Sequence, residues 1–81
     1  MRLLIDIGNT HTTMGVWTNS KLLSVITVET KNFTQALLKI KNKPIKEIFL
    51  TSVVAKNILS KVKKSLTKLI SAKIIEIKSS S

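Results

Sequence analysis

The sequence predicts an α/β domain in which one mixed sheet carries packed helices, with elements in the order β-β-β-α-β-α-β. The first observation behind this prediction is that three strand-like segments open the chain with only short polar turns between them. The second is that two amphipathic segments then alternate with two more apolar runs, as in right-handed β-α-β crossovers. Three antiparallel strands followed by two such crossovers give a sheet of mixed direction.

The first three strands are predicted to form a meander. They are residues 2–7, 12–17 and 21–30. Gly8 and Asn9 join the first two strands, and these residue types tolerate the positive φ of a tight turn. Asn19 and Ser20 signal the second turn. Because Asp6 stands near the end of the first strand, the chain begins with a β-hairpin that carries a carboxylate beside its turn.

The second half alternates helices and strands. The predicted elements are a helix at residues 33–41, a strand at 45–54, a helix at 56–71 and a strand at 73–78. Thr30 or Asn32 is expected to cap the first helix, and Pro44 follows its end. The apolar face of this helix is predicted to carry Phe33, Ala36, Leu37 and Ile40. The apolar run in residues 45–54 predicts a strand buried on both faces. We expect one domain over residues 1–78, with 79–81 as a tail or a truncated end.

Composition limits the possible functions. The chain has 81 residues, no cysteine and a net charge of +10, so disulfides and thiolate catalysis are excluded. No apolar run approaches the roughly 20 residues needed to span a membrane, and we expect a cytoplasmic protein without a membrane partner. The charge suits anionic partners, but the lysines are scattered and there is a single arginine. Solvated lysines are therefore favoured over a nucleic-acid interface.

The first loop has the composition of a phosphate site. Its backbone N–H groups can surround phosphate oxygens, and the side chains of Asn9 and Thr10 can add hydrogen bonds. Asp6 can hold a metal ion through water. The structural alternatives are an Asx turn made by Asp6 and ordinary turn chemistry for the loop.

Two motifs make a family resemblance specific. The run Asp6-Ile7-Gly8-Asn9-Thr10, with a glycine at position 15, resembles the first phosphate motif of type III pantothenate kinase. Residues 50–54, Leu-Thr-Ser-Val-Val, resemble the Ser-Val-Val element that ends the fourth strand of this family. Ala55 departs from the proline usual at the next position. The resemblance implies a ribonuclease H-like domain, half of an actin-like ATPase fold in the superfamily of Hsp70 and the sugar kinases.

The resemblance also implies roles for individual residues. Asp6 would be the catalytic residue that organises the metal ion, and the ATP phosphates would be bound by residues of one segment: Asp6, Gly8, Asn9, Thr10, His11 and Thr12. For His11 the alternative is a solvated loop histidine. Ser52 is included as a further candidate, with strand termination as its alternative role.

The parent protein implied by the resemblance would phosphorylate pantothenate with ATP, the first step towards coenzyme A. It would use Mg²⁺ and a monovalent cation, K⁺ or NH₄⁺, and would be a homodimer. Family members are roughly three times longer, and neither their Gly-Ala-Asp-Arg segment nor their second phosphate motif is present in these 81 residues. We therefore expect an N-terminal piece that is inactive alone. The alternatives are a small basic nucleic-acid-binding module and a non-catalytic ribonuclease H-like domain completed by a partner.

Overall fold

The computed structural model of the chain describes residues 1–77. Its elements are β1 Arg2–Ile7, β2 His11–Thr18, β3 Lys21–Glu29, a 3₁₀ turn Thr30–Asn32, α1 Phe33–Ile40, β4 Glu47–Ser52, α2 Lys56–Leu69 and β5 Lys73–Glu76. The predicted order of strands and helices is confirmed. The predicted tail at 79–81, and the last residue of the strand predicted at 73–78, lie outside the described residues.

The five strands form one mixed sheet in the order β3-β2-β1-β4-β5. The central strand β1 runs antiparallel to β2 and parallel to β4. β3 continues the antiparallel meander and β5 extends the parallel side. The predicted α/β class with a mixed sheet is therefore confirmed. Within residues 1–77, no helix is both long and apolar enough to cross a membrane.

Both helices cover the same face of the sheet, which we call the helix face. Alternate residues of β1 point into this core and are fully buried: Leu3, Ile5 and Ile7. The face predicted for α1 is buried in full: Phe33, Ala36, Leu37 and Ile40. α2 buries only Val62 and Leu66 within its bounds, with Leu59 and Leu69 packed at the core edge. For α1, amphipathic spacing therefore predicted the side that packs on the sheet.

The opposite face of the sheet, which we call the open face, carries no helix from residues 1–77. Phe49 and Thr51 of β4 point to it and are half-buried. The prediction that this strand is buried on both faces is therefore wrong, because α1 and α2 pack on a single side. Leu4 on the neighbouring strand is 40% exposed for the same reason.

The two hairpin turns differ from the prediction. Neither Gly8 nor Asn9 has a positive φ, whereas Asn19 (φ 46°) and Ser20 (φ 70°) do. Two consecutive left-handed residues make the tight turn between β2 and β3. The β1–β2 connection has three residues between its strands, enough to reverse the chain with negative φ values.

The ladder between β2 and β3 contains a β-bulge. Val16 faces Ser24, but the next residue, Trp17, faces Leu22, so Leu23 is an extra residue on β3. Such an insertion bends the strand that carries it and increases its local twist. β3 therefore changes direction shortly after the turn from which it starts.

Candidate functional site

The two motifs noted in the sequence lie side by side at one end of the sheet. The first loop follows the C-terminal end of β1, and the Ser-Val-Val element follows the C-terminal end of β4. Ile7 is in register with Ser52, and the N–H of Val53 donates to the carbonyl of Ile7 at 3.2 Å. The C-terminal ends of parallel strands are where open α/β sheets bind ligands. The topology therefore brings these separate segments to one edge.

Asp6 is exposed on the open face, two residues before the loop begins. Within residues 1–77 its carboxylate takes part in no ion pair and makes no side-chain hydrogen bond to the loop. The Asx turn considered as an alternative is therefore not formed. A carboxylate in this position is free to accept hydrogen bonds from water or from the hydration shell of a cation.

Threonines on the neighbouring strands extend a polar row from Asp6 across the open face. Asp6 is in register with Thr13 on β2 and with Thr51 on β4. Thr13 is in turn paired with Thr27 on β3, and their hydroxyl oxygens lie 3.3 Å apart. No sequence pattern predicted these threonines as site residues. The alternation of each strand places them on the open face, but only the register between strands brings them beside Asp6.

Of the three backbone N–H groups in the loop at residues 8–10, two are free to donate to a ligand. The N–H of Gly8 donates to the carbonyl of His11 at 2.9 Å, so it is not available to a ligand. The N–H groups of Asn9 and Thr10 have no backbone acceptor in the described part of the chain, and both residues are exposed. Two adjacent free amides at the end of a strand can bind the oxygens of one phosphate group.

Gly8 is required for close packing. A Cβ built on Gly8 would lie 2.8 Å from the carbonyl oxygen of His11. Real Cβ atoms essentially never approach backbone oxygen so closely. The glycine therefore allows the loop to close over the start of β2, a role different from the positive φ that the sequence predicted.

Thr30 fixes the loop from the helix side. Its hydroxyl donates to the carbonyl of Gly8 at 2.7 Å, and its own N–H donates to the carbonyl of Thr10 at 2.8 Å. The hydroxyl of Thr12 lies 2.9 Å from that of Thr30. Since the one hydroxyl proton of Thr30 is given to Gly8, Thr12 is the donor to Thr30. These three hydrogen bonds attach both ends of the loop to the start of the 3₁₀ turn.

The remaining predicted residues divide by exposure. Thr12 is fully buried and its hydroxyl is used by Thr30, so it supports the loop from within. His11 is exposed at the start of β2. The hydroxyl of Ser52 accepts the N–H of Val54 at 3.2 Å, a local turn that ends β4. Asn32 stands at the N-cap of α1 without a side-chain cap bond, and the hydroxyl of Thr30 is bonded to Gly8, so the predicted helix cap is wrong.

The residues at this edge suit a hydrated Mg²⁺ ion held together with phosphates, and not one enclosed by protein ligands. No group of three or more His, Cys, Asp or Glu side chains occurs within residues 1–77, so these residues do not form a cage of protein ligands. Mg²⁺ commonly keeps several waters and is held by one or two carboxylates together with substrate phosphates. Asp6 with the free loop amides matches that second arrangement.

Comparison with known proteins identifies a family and a fold. The model of the type III pantothenate kinase family matches residues 2–81. No curated protein matches the sequence. Among solved structures, that of RuvC from Thermus thermophilus aligns with a TM-score of 0.70 at 11% identity, covering 95% of this chain and 63% of that one.

A second solved structure is similar in the same way. The resolvase of fowlpox virus, determined with Holliday junction DNA, aligns with a TM-score of 0.61 at 17% identity, covering 94% of this chain and 60% of the resolvase. The chain thus spans less than two thirds of either structure. At these identities the likeness shows the fold alone, which is the predicted ribonuclease H-like layout.

Proposed function

This chain belongs to the type III pantothenate kinase family, and from that premise we propose that it carries the first phosphate site of an ATP-dependent pantothenate kinase. The observation that carries the proposal is the edge described above. An unpaired carboxylate, Asp6, stands near a loop in which Asn9 and Thr10 are exposed and their amides have no backbone acceptor within residues 1–77. That combination suits the phosphates of a nucleotide together with a hydrated cation.

Different residues of this edge would contact the phosphates, contact the hydrated cation and hold the loop in place. The amides of Asn9 and Thr10 would donate to phosphate oxygens, with the Asn9 side chain adding a further donor. Asp6 would accept hydrogen bonds from water on Mg²⁺, the ion that neutralises the charge of the phosphates when it is bound. Gly8 and Thr30 would act indirectly, because they fix the loop and do not expose a free donor to the ligand. His11 and Ser52 lie at the same edge and stay candidates for contact with the nucleotide.

We propose that residues 1–78 form one half-domain of a larger kinase and that this half is inactive alone. Phosphoryl transfer depends on positioning and on charge stabilisation from several sides of the transferred group. The described residues supply Asp6, Glu29 opposite His11, and one loop at this edge, which serve one side. Pantothenate, a monovalent cation such as K⁺ or NH₄⁺, a homodimeric assembly and a cytoplasmic location belong to this proposal for the whole enzyme, and no residue here is assigned to them.

The structural neighbours suggest a different chemistry, which the residues of this chain do not favour. One neighbour was determined as a resolvase with Holliday junction DNA. Nucleases that use two metal ions need several ligands to hold ions about 3.5–4 Å apart. Within residues 1–77 the same edge offers Asp6, Glu29 opposite His11 and threonine hydroxyls, and no group of three or more metal-ligating side chains. The basic charge of the chain nevertheless makes nonspecific DNA binding a necessary control.

The proposal is tested by measuring Mg²⁺-dependent ATP binding to the whole chain by isothermal titration calorimetry, at low and at physiological salt. We expect binding that requires Mg²⁺, survives the salt and is lost in Asp6→Asn. Glu47→Gln is the matched control, because it removes one negative charge beside Arg2, at the start of β1 and β4 and so at the opposite end of the sheet from the loop amides. Binding that ignores Mg²⁺, disappears with salt and is equal in both variants would refute the proposal and leave charge alone as the cause.

A further inference from the structure

A cavity lies on the other side of the same loop, between it and the two helices. We call it the helix-side cavity and define it by Asn9, Lys31, Phe33, Thr34, Lys61 and Ser65. Its volume is about 440 Å³, within the size range of small-molecule sites. It opens on the helix face of the sheet, whereas Asp6 points to the open face. The cavity is therefore separate from the carboxylate of the proposed nucleotide site.

The charge of the helix-side cavity is positive. Lys31 on the 3₁₀ turn and Lys61 on α2 both line it, and no acidic residue does. Lys31 reaches Glu29 at 3.2 Å, but the two side chains are 77% and 52% exposed, so this ion pair is weak and leaves the ammonium available. Lys61 takes part in no ion pair within residues 1–77. Two ammonium groups from different elements thus border one space.

Neutral donors and an apolar floor complete the lining. The hydroxyls of Thr34 on α1 and Ser65 on α2 are 3.4 Å apart, a long contact that either group can exchange for a ligand oxygen. The floor is formed by Phe33, Val62 and Ile58. The first two are 3% and 6% exposed, whereas Ile58 is 36% exposed and keeps apolar surface that a ligand can cover. An anionic group is favoured at the lysines and hydroxyls, and an apolar group is favoured over the floor.

We propose that the helix-side cavity binds a small phosphate monoester with an apolar substituent. The phosphate would lie between Lys31 and Lys61, within reach of the hydroxyls of Thr34 and Ser65, and the substituent would cover Ile58. This site does not depend on the proposed kinase function, since none of its charges comes from Asp6. The cavity is also lined by Asn9 of the phosphate loop and by Thr30, which is hydrogen-bonded to that loop. An occupant would therefore contact the loop on its helix side.

The test follows the backbone amide signals of the whole chain by NMR during titration with phenyl phosphate at physiological salt. Inorganic phosphate is the second probe, because it keeps the charge and lacks the apolar group. We expect shifts centred on Thr34, Lys61 and Ser65, and weaker binding of inorganic phosphate. Lys61→Gln should weaken phenyl phosphate binding by about fivefold, the effect of losing one partly exposed charge contact.

Lys64→Gln is the matched control, because Lys64 is exposed on the same helix, carries the same charge and does not line the cavity. It should bind phenyl phosphate as the unmodified chain does. Equal binding by the two variants, equal affinity for the two probes, or shifts spread over lysines elsewhere would overturn the proposal. Asp6→Asn should leave this binding unchanged, so a failure here is distinguishable from a failure of the proposed nucleotide site.

Discussion

Replacing Thr30 by valine should destabilise the chain more than any surface substitution. Valine keeps the shape of threonine but removes the acceptor for the Thr12 hydroxyl and the donor to the Gly8 carbonyl. Thr12 is fully buried, and leaving its hydroxyl without a partner costs about 1–3 kcal/mol. The lost bond to Gly8 adds about 1 kcal/mol. We therefore expect the free energy of unfolding to fall by about 2–4 kcal/mol.

The partner substitution should cost less. Thr12→Val removes the donor of one hydrogen bond, while Thr30 keeps its bond to Gly8. The expected loss is about 0.5–1.5 kcal/mol, the usual net value of one hydrogen bond. In the double variant no buried hydroxyl is left unpaired. The two costs should therefore sum to about 1–3 kcal/mol more than the double variant loses.

Urea unfolding of the unmodified chain, the two single variants and the double variant measures these differences. The dependence of the unfolding free energy on urea concentration must be equal in all four, so that their midpoints can be compared. Thr30→Ser is the matched control, because it keeps the hydroxyl and should retain most of the stability. Hydrogen exchange at Asn9 and Thr10 reports whether the loop loosens as well. Additive losses, or a Thr30→Val variant within about 0.5 kcal/mol of the unmodified chain, would refute the described network.

Two further predictions concern backbone positions. Gly8→Ala should destabilise the chain by about 1–3 kcal/mol, because the new Cβ would lie 2.8 Å from a backbone oxygen that cannot move freely. Gly15→Ala should cost less, because the atom nearest to its new Cβ is 3.4 Å away on a side chain. Thermal unfolding of both variants measures the two losses of stability, and a larger loss for Gly15→Ala would contradict the prediction. Ser20→Gly should stabilise by about 1 kcal/mol, since Ser20 has a φ of 70° that glycine adopts without strain. A lower midpoint in urea for this variant would show that the turn does not carry that strain.

The fold was predictable because its signals are local. The apolar side of the first helix can be read from residue spacing, and the structure buries the four residues so identified: Phe33, Ala36, Leu37 and Ile40. Order and class of the elements followed from the alternation of strand and helix patterns. The burial of β4 was misjudged because an apolar run does not reveal on which side a helix will pack.

The candidate site was predictable only in part. Asp6 was recognisable because an acid interrupts an apolar strand next to a glycine. The role of Thr30 could not be found in the same way, because its partner Gly8 lies 22 residues away and only the folded register joins them. Gly8 was selected for its tolerance of positive φ, yet the structure uses its missing side chain. Residue type thus suggested the right position for a different physical reason.

The β-bulge opposite Trp17 bears on how this chain behaves in concentrated solution. β3 is the outer strand on the antiparallel side, and it exposes Leu22, Leu23 and Val25. A long, flat strand of that composition would be a template on which other molecules could add strands and aggregate. The extra residue bends this edge and breaks its hydrogen-bonding register near the turn. The bulge leaves residues 24–29 as the regular part of this edge. On the other edge β5 has only four residues, so within the described chain both borders of the sheet offer shorter regular strands than the nine residues of β3 alone would suggest.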